Sequence, residues 1–185
     1  MSAPRLVLLA ALSALTLAAC GARDKPGEPA AVDENRTLAV ALAGNDGHDV
    51  LGEVAENAGL ADVFAGVGPY TVFAPADAAF AGGNAIDFTA AEHRAEGAAI
   101  VRAHVVPGAL TRRDIVAAID RAGGDGVAMR TMADGLLTFT REGNGIVVVA
   151  ADGARARLSG EESVVRNGVV QPVDAILVRV EPAAG

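Results

Sequence analysis

The helical period that governs the first half of this chain stops at Val127, and a run of short apolar segments cut by turn dipeptides follows. These segments cover residues 127–132, 136–140, 145–150, 154–158, 162–166 and 175–180. Asp134-Gly135, Glu142-Gly143-Asn144, Asp152-Gly153 and Asn167-Gly168 divide them. Asp-Gly and Asn-Gly favour tight hairpins because both residues tolerate positive φ. An antiparallel sheet is expected for the second half. Helices first and strands later, with no βαβ alternation, assign the chain to the α+β class.

In the first half, the apolar run Thr37 to Leu42 precedes Leu51, Val54, Ala55 and Ala58, which recur at helical spacing. Asp49 is the expected N-cap of that helix and Gly59 its left-handed C-terminal residue. A short helical turn over 60–64 follows. The stretch GPYTVFAPADAAF, residues 68–80, then alternates Tyr70, Val72 and Ala74 with Thr71 and Phe73, the pattern of a strand buried on both faces. Pro75 ends it, because proline removes a ladder donor and holds its predecessor extended. Asp77 is expected to cap the next turn and return Phe80 to the core. Thr89-Ala90-Ala91-Glu92 fits a capping box and predicts a helix to about residue 101 or 102. Residues 103–108, AHVVPG, repeat the strand-to-proline logic. Thr111 opens a last helix with Ile115, Ala118, Ile119 and Ala122 on one face and Gly123-Gly124 at its end.

The N-terminal residues read as an export segment. Arg5 precedes an apolar stretch from Leu6 to Leu17, and Leu17-Ala18-Ala19-Cys20 closes it. The stretch is too short to span a bilayer of about 30 Å as a helix. Cys20 is the only cysteine, so no intramolecular disulfide can form. The quartet resembles the bacterial lipobox, which implies a diacylglyceryl and N-acyl anchor on Cys20 after cleavage. By the same resemblance, Gly21 in place of aspartate implies the outer rather than the inner membrane where the envelope is Gram-negative. The expected organisation is a lipoprotein signal peptide over 1–20, a flexible tether over 21–36 and a single domain over 37–182. The tether reading rests on the small, charged and proline-bearing run GARDKPGEPAAVDENR.

The net charge of −8 disfavours nucleic acid and anionic head groups as partners, since both need a positive footprint. Tryptophan is absent and aromatics make up 3% of residues, which leaves little for aromatic cages or base stacking. A serine hydrolase would need a nucleophile elbow, yet no G-x-S-x-G occurs and only Ser159 and Ser163 lie beyond the export segment. The three histidines, His48, His93 and His104, show no ligand spacing. The loop Asn45 to Asp49, NDGHD, gathers two carboxylates and an imidazole but lacks the order of a calcium loop, so a solvated loop is the plainer reading. No metal, no cofactor and no enzymatic activity are expected.

GPYTVFAPADAAF resembles the first signature block of the fasciclin (FAS1) domain family. HVVPG at 104–108 resembles the second, and VVRNGVVQPVDAILV resembles the closing strand region. The likeness runs from about Ala39 to Val180 and implies a wedge-shaped β-sandwich with flanking helices. Its signature positions are Phe73, Pro75, Asp77, Phe80, His104, Pro107 and Gly108. Two positions depart from the family pattern. Ala103 stands where many members carry tyrosine, and Gln171-Pro172 stands where members often carry His-Val. The tyrosine–histidine pair linked to adhesion in eukaryotic members is therefore not carried over. His104 lies in an apolar run and needs a polar partner if buried. Asp77 or a nearby backbone carbonyl is the expected one, tying two signature blocks together.

The resemblance implies a non-catalytic adhesion or protein-binding module. It would be anchored to the membrane through Cys20 and face an unidentified envelope or extracellular protein, with no nucleic acid partner. The alternative is a periplasmic small-ligand carrier or enzyme accessory protein.

Overall fold

The structure is a computed structural model and describes residues 31–44, 47–81 and 86–179. The export segment, Cys20, most of the tether, Asn45, Asp46 and residues 180–182 lie outside the described residues.

Three layers stack on one another. The first is helical: α1 (Leu38–Leu42), α2 (Asp49–Asn57), α3 (Ala61–Ala65) and α5 (Arg94–Ala103), with the short α4 (Asp77–Ala81) beside α2. The second is a five-stranded mixed sheet. Its strands are β1 (Val32–Asp33), β2 (Tyr70–Pro75), β3 (Val105–Pro107), β8 (Ser163–Val165) and β9 (Gly168–Val173), in the order β1-β8-β9-β2-β3. The third is an antiparallel meander of β4 (Val127–Arg130), β5 (Leu136–Glu142), β6 (Gly145–Ala150) and β7 (Arg155–Arg157). The remaining helix, α6 (Arg112–Arg121), packs on β5. Helices, strands and two sheets make this an α+β fold.

Strand alternation divides the core in two. Val72 and Ala74 of β2 join Leu38, Leu51, Val54 and Ile100 under the helices. Phe73 turns the other way to meet Ile115, Leu137, Phe139 and Val148 between the sheets. Its ring lies 5.1 Å from that of Phe139. A two-sided strand of this kind reads as a continuous buried run, and every residue of β2 after Tyr70 is buried.

Local signals held where nothing nearby competed with them. Gly59 takes φ +74° and closes α2 with a Schellman pair: Gly59 N–H donates to Glu56 O and Leu60 N–H to Ala55 O. The helix expected at Thr111 begins there, and Thr111 and Asp114 form a reciprocal capping box. That pairing and the neighbouring Arg113 and Arg121 hold the Asp114 carboxyl below the usual carboxylate range.

Five local readings are corrected. Asp49 is the first helical residue of α2, and His48 precedes it without a side-chain cap bond. Thr89 does not cap α5, because Asp87 Oδ1 accepts both its N–H at 3.0 Å and its O–H at 2.5 Å. The helix starts later instead, through a 3-10 turn at Ala91–His93. The expected tether ends earlier than residue 36: Val32–Asp33 pairs in parallel with Val164 and Val165. The second half is not one antiparallel sheet, since β8 and β9 leave the meander to join β1, β2 and β3.

The last strand is also displaced from the expected 175–180 to Gly168–Val173, with Pro172 inside it. A central strand normally excludes proline. Here β8 begins only at Ser163, opposite Val170, and beyond it an isolated antiparallel bridge sets Leu158 against Val173, where the Ser159 carbonyl that a residue 172 N–H would face is taken by Arg112 instead. The Pro172 carbonyl on that flank accepts the Ser159 N–H at 2.8 Å.

Candidate functional site

The signature blocks meet along β2. Its residues Tyr70, Thr71 and Val72 pair antiparallel with Pro107, Val106 and Val105, and on its other flank it runs parallel to β9 from Gly168 to Val173. Pro107 ends β3. Gly108, at φ +107°, then folds back so that its N–H donates to Pro69 O and its carbonyl accepts the Thr71 hydroxyl at 2.7 Å. Phe80 is half-buried against the helical core.

His104 is fully buried. It is not a strand residue as expected but the C-cap of α5. The anticipated bond to Asp77 is not formed. The alternative partner, a backbone carbonyl, is present: Nδ1–H donates to Ile100 O at 2.8 Å. Because a carbonyl can only accept, the imidazole is fixed as the Nδ1–H tautomer, and Nε2 accepts the Leu177 N–H at 2.8 Å. Burial pushes its pKa down to about 4, with the Ile100 bond acting the other way. The His104 carbonyl takes the Phe73 N–H at 2.9 Å. All three signature blocks thus join at this residue, through the backbone on one side and the imidazole on the other.

Asp77 works at a distance the sequence did not suggest. Its Oδ1 accepts the Val50 N–H at 3.0 Å, an orphan amide in the first turn of α2, and its own N–H donates to Gly47 O at 2.9 Å. Two residues earlier, Pro75 O receives His48 Nδ1 at 3.3 Å. The Pro75-to-Asp77 corner therefore clamps residues 47–50 at three points. Asp77→Ala is expected to cost about 1 kcal/mol, the usual value of a lost helix cap, and to speed amide exchange at Val50. Asp77→Asn keeps the acceptor and most of the stability. Equal loss in both variants would show that the bond to Val50 is not the contribution.

The clamped segment forms one wall of a hollow of about 360 Å³. Val170 and Pro172 form its floor, Ala41 and His48 one side, and residues 160–163 the other. The far side is also fixed. Glu162 Oε2 accepts the Arg112 N–H at 2.7 Å and Gln171 Nε2 at 2.6 Å. The buried Gln171 also receives Arg112 Nε on its Oε1 and donates to Leu110 O. Arg112 reaches Ser159 O at 2.5 Å. Burial lowers the guanidinium pKa, and the attraction of Glu162 and Glu161 opposes that. Among the described residues no group of three or more histidines, cysteines or carboxylates is placed to hold a metal ion. Asn45 and Asp46 of the NDGHD loop lie outside them.

The Fasciclin domain profile matches residues 47–179, well over half of the chain. The chain belongs to the fasciclin domain family. A solved structure of a FAS1 domain pair from the insect cell adhesion molecule Fasciclin I superposes with a TM-score of 0.66 at 16% sequence identity. The alignment covers 79% of this chain and 52% of that one, so the chain spans about half the length of the domain pair. At this identity the likeness concerns the fold. No curated protein matches.

Within this fasciclin domain, the two-ended amide of Gln171 binds Arg112, Leu110 and Glu162 at once. Sequence reading singled out Gln171 only as a departure, and it missed Arg112 and Glu162. An exposed-looking charge at a helix start carries no local mark of a partner fifty residues away.

Proposed function

We propose that this fasciclin domain is a non-catalytic binding or adhesion module of a bacterial cell envelope, held to the membrane by a lipid on Cys20. The observation that carries the reading is a fasciclin fold joined to a segment whose single cysteine completes a lipobox-like quartet. The solved neighbour comes from a cell adhesion molecule, which supports the binding half of the proposal. Among the described residues no helix is long and apolar enough to cross a membrane, so attachment would rest on the lipid. The ten residues 21–30 reach at most about 35 Å when extended. Confinement within that distance raises the effective concentration of a weak interface.

Cross-linking and mass spectrometry on intact envelopes, comparing the chain with Cys20→Ala, tests both halves. The expected result is a set of protein cross-links present only in the acylated form. Equal solubility of both forms and no protein cross-link would overturn the reading in favour of a small-ligand carrier.

A further inference from the structure

The hollow between α1, the 47–50 segment and β8 combines aliphatic surface with side-chain groups that chiefly accept hydrogen bonds. Val170 and Pro172 supply the floor, and Ala41 extends the aliphatic surface up one side. His48 is held by Nδ1–H on Pro75 O, and in the neutral ring this leaves Nε2 as an acceptor with no hydrogen bond among the described residues. Glu161 is exposed and forms no hydrogen bond, only a through-space attraction to Arg112 behind the wall. Among the described residues, Ser163 is the one lining side chain with a hydroxyl, and no lysine, arginine, asparagine or glutamine side chain lines the space. An occupant must therefore bring its own donors, and a carboxylate with an imidazole lone pair favours donors that carry positive charge. Anions are disfavoured by the same count.

We infer that this hollow seats the ammonium or guanidinium head of a lysine or arginine side chain presented by a partner protein. The methylene stem lies on Val170 and Pro172, in the way long cationic side chains cover apolar surface. Both walls are fastened before any partner arrives, one by Pro75 and Asp77 and the other by Arg112 and Gln171. Little ordering remains to be done on binding. The net charge of −8 adds long-range attraction for a cationic partner. This inference rests on the protein-binding reading and names the chemistry of its partner.

The test titrates the full chain in detergent micelles with Nα-acetyl-lysine methylamide, followed by backbone amide NMR. The norleucine analogue serves as the uncharged control. Shifts confined to residues 47–50 and 160–163 are expected with lysine and not with norleucine. Glu161→Gln should weaken them at least tenfold, while Glu53→Gln and Glu96→Gln on the helical layer should leave them unchanged. Equal response to norleucine, or shifts spread over the carboxylates of α2 and α5, would overturn the assignment. So would tighter probe binding in an Arg23→Gln, Lys25→Gln chain, which would make the chain's own tether the occupant. Cross-linking on envelopes separates the two levels. A partner captured equally by Glu161→Gln overturns this site and leaves the binding reading standing, whereas lysine binding without any captured partner supports the site and removes the reading.

Discussion

His104→Leu is expected to lower the melting temperature by roughly 10 °C at pH 7, with the fold retained. Leucine fills the space but leaves the Ile100 carbonyl and the Leu177 N–H buried without partners. Each orphaned group costs about 1–3 kcal/mol, so a total of about 3 kcal/mol is expected. In a domain of this size that corresponds to a shift of about 10 °C. The pH dependence supplies a second and sharper readout. The unfolded histidine takes up a proton near its ordinary value of 6.5, whereas the folded one resists until about 4. Between those values the unfolded state binds more protons, so stability falls as pH falls. The full difference is about 3 kcal/mol, present above pH 6.5 and lost by about pH 4. The leucine variant lacks this dependence, so the two stability curves should converge on acidification. Below pH 4 both fall together as Asp87 and Asp114, whose carboxyls titrate below their ordinary range, become protonated. Calorimetry from pH 7 to 4 decides the matter. A variant with an unchanged melting temperature at pH 7 but a lost binding partner would assign His104 to recognition instead of structure.

What the sequence made legible follows the range of the interactions. Gly59, Pro75 and Thr111 act on residues within a turn of themselves, and each did what its local chemistry required. Thr89 failed because its hydroxyl donates to Asp87 Oδ1, two residues back, which holds the side chain in the preceding turn and away from the helix amides. Asp77 failed for the opposite reason: its partner lies 27 residues back, and no local pattern announces it. The parallel pairing of β2 with β9 joins Tyr70 to Gly168 across nearly the whole domain. Hydrophobic alternation shows that both faces of β2 are buried but not which strand lies beside it. The candidate site was the least legible part. His48 and Glu161 line one hollow only because the Pro75 corner and the loop before β8 bring them there, and sequence reading could place the histidine in a solvated loop and nothing more.

Asn167→Ala should destabilise the domain by about 3–4 kcal/mol, although Asn167-Gly168 reads in the sequence as an interchangeable hairpin dipeptide. That signal predicted the turn but misstated the cause. A type I′ hairpin needs positive φ at both central residues. Arg166 and Asn167 occupy the two-residue turn between Val165 and Gly168, and neither is among the positive-φ residues. The asparagine is there for its side chain. Oδ1 accepts the Leu38 N–H at 2.8 Å, and Nδ2 donates to Phe64 O and Gly66 O, each at 2.8 Å. One buried amide thus fastens the start of α1, the end of α3 and the β8–β9 turn. Alanine orphans one donor and two acceptors, at about 1–3 kcal/mol each where water cannot reach them. Asn167→Asp should be no better, because a carboxylate keeps the Leu38 bond but faces two carbonyl oxygens. The glycine is needed for a separate reason: a Cβ at residue 168 would lie 2.0 Å from Tyr70 O. Urea denaturation measures the total, and amide exchange at Leu38 locates it. A loss under about 1 kcal/mol for alanine, or an aspartate variant as stable as the parent, would show that the turn geometry alone holds these three elements together.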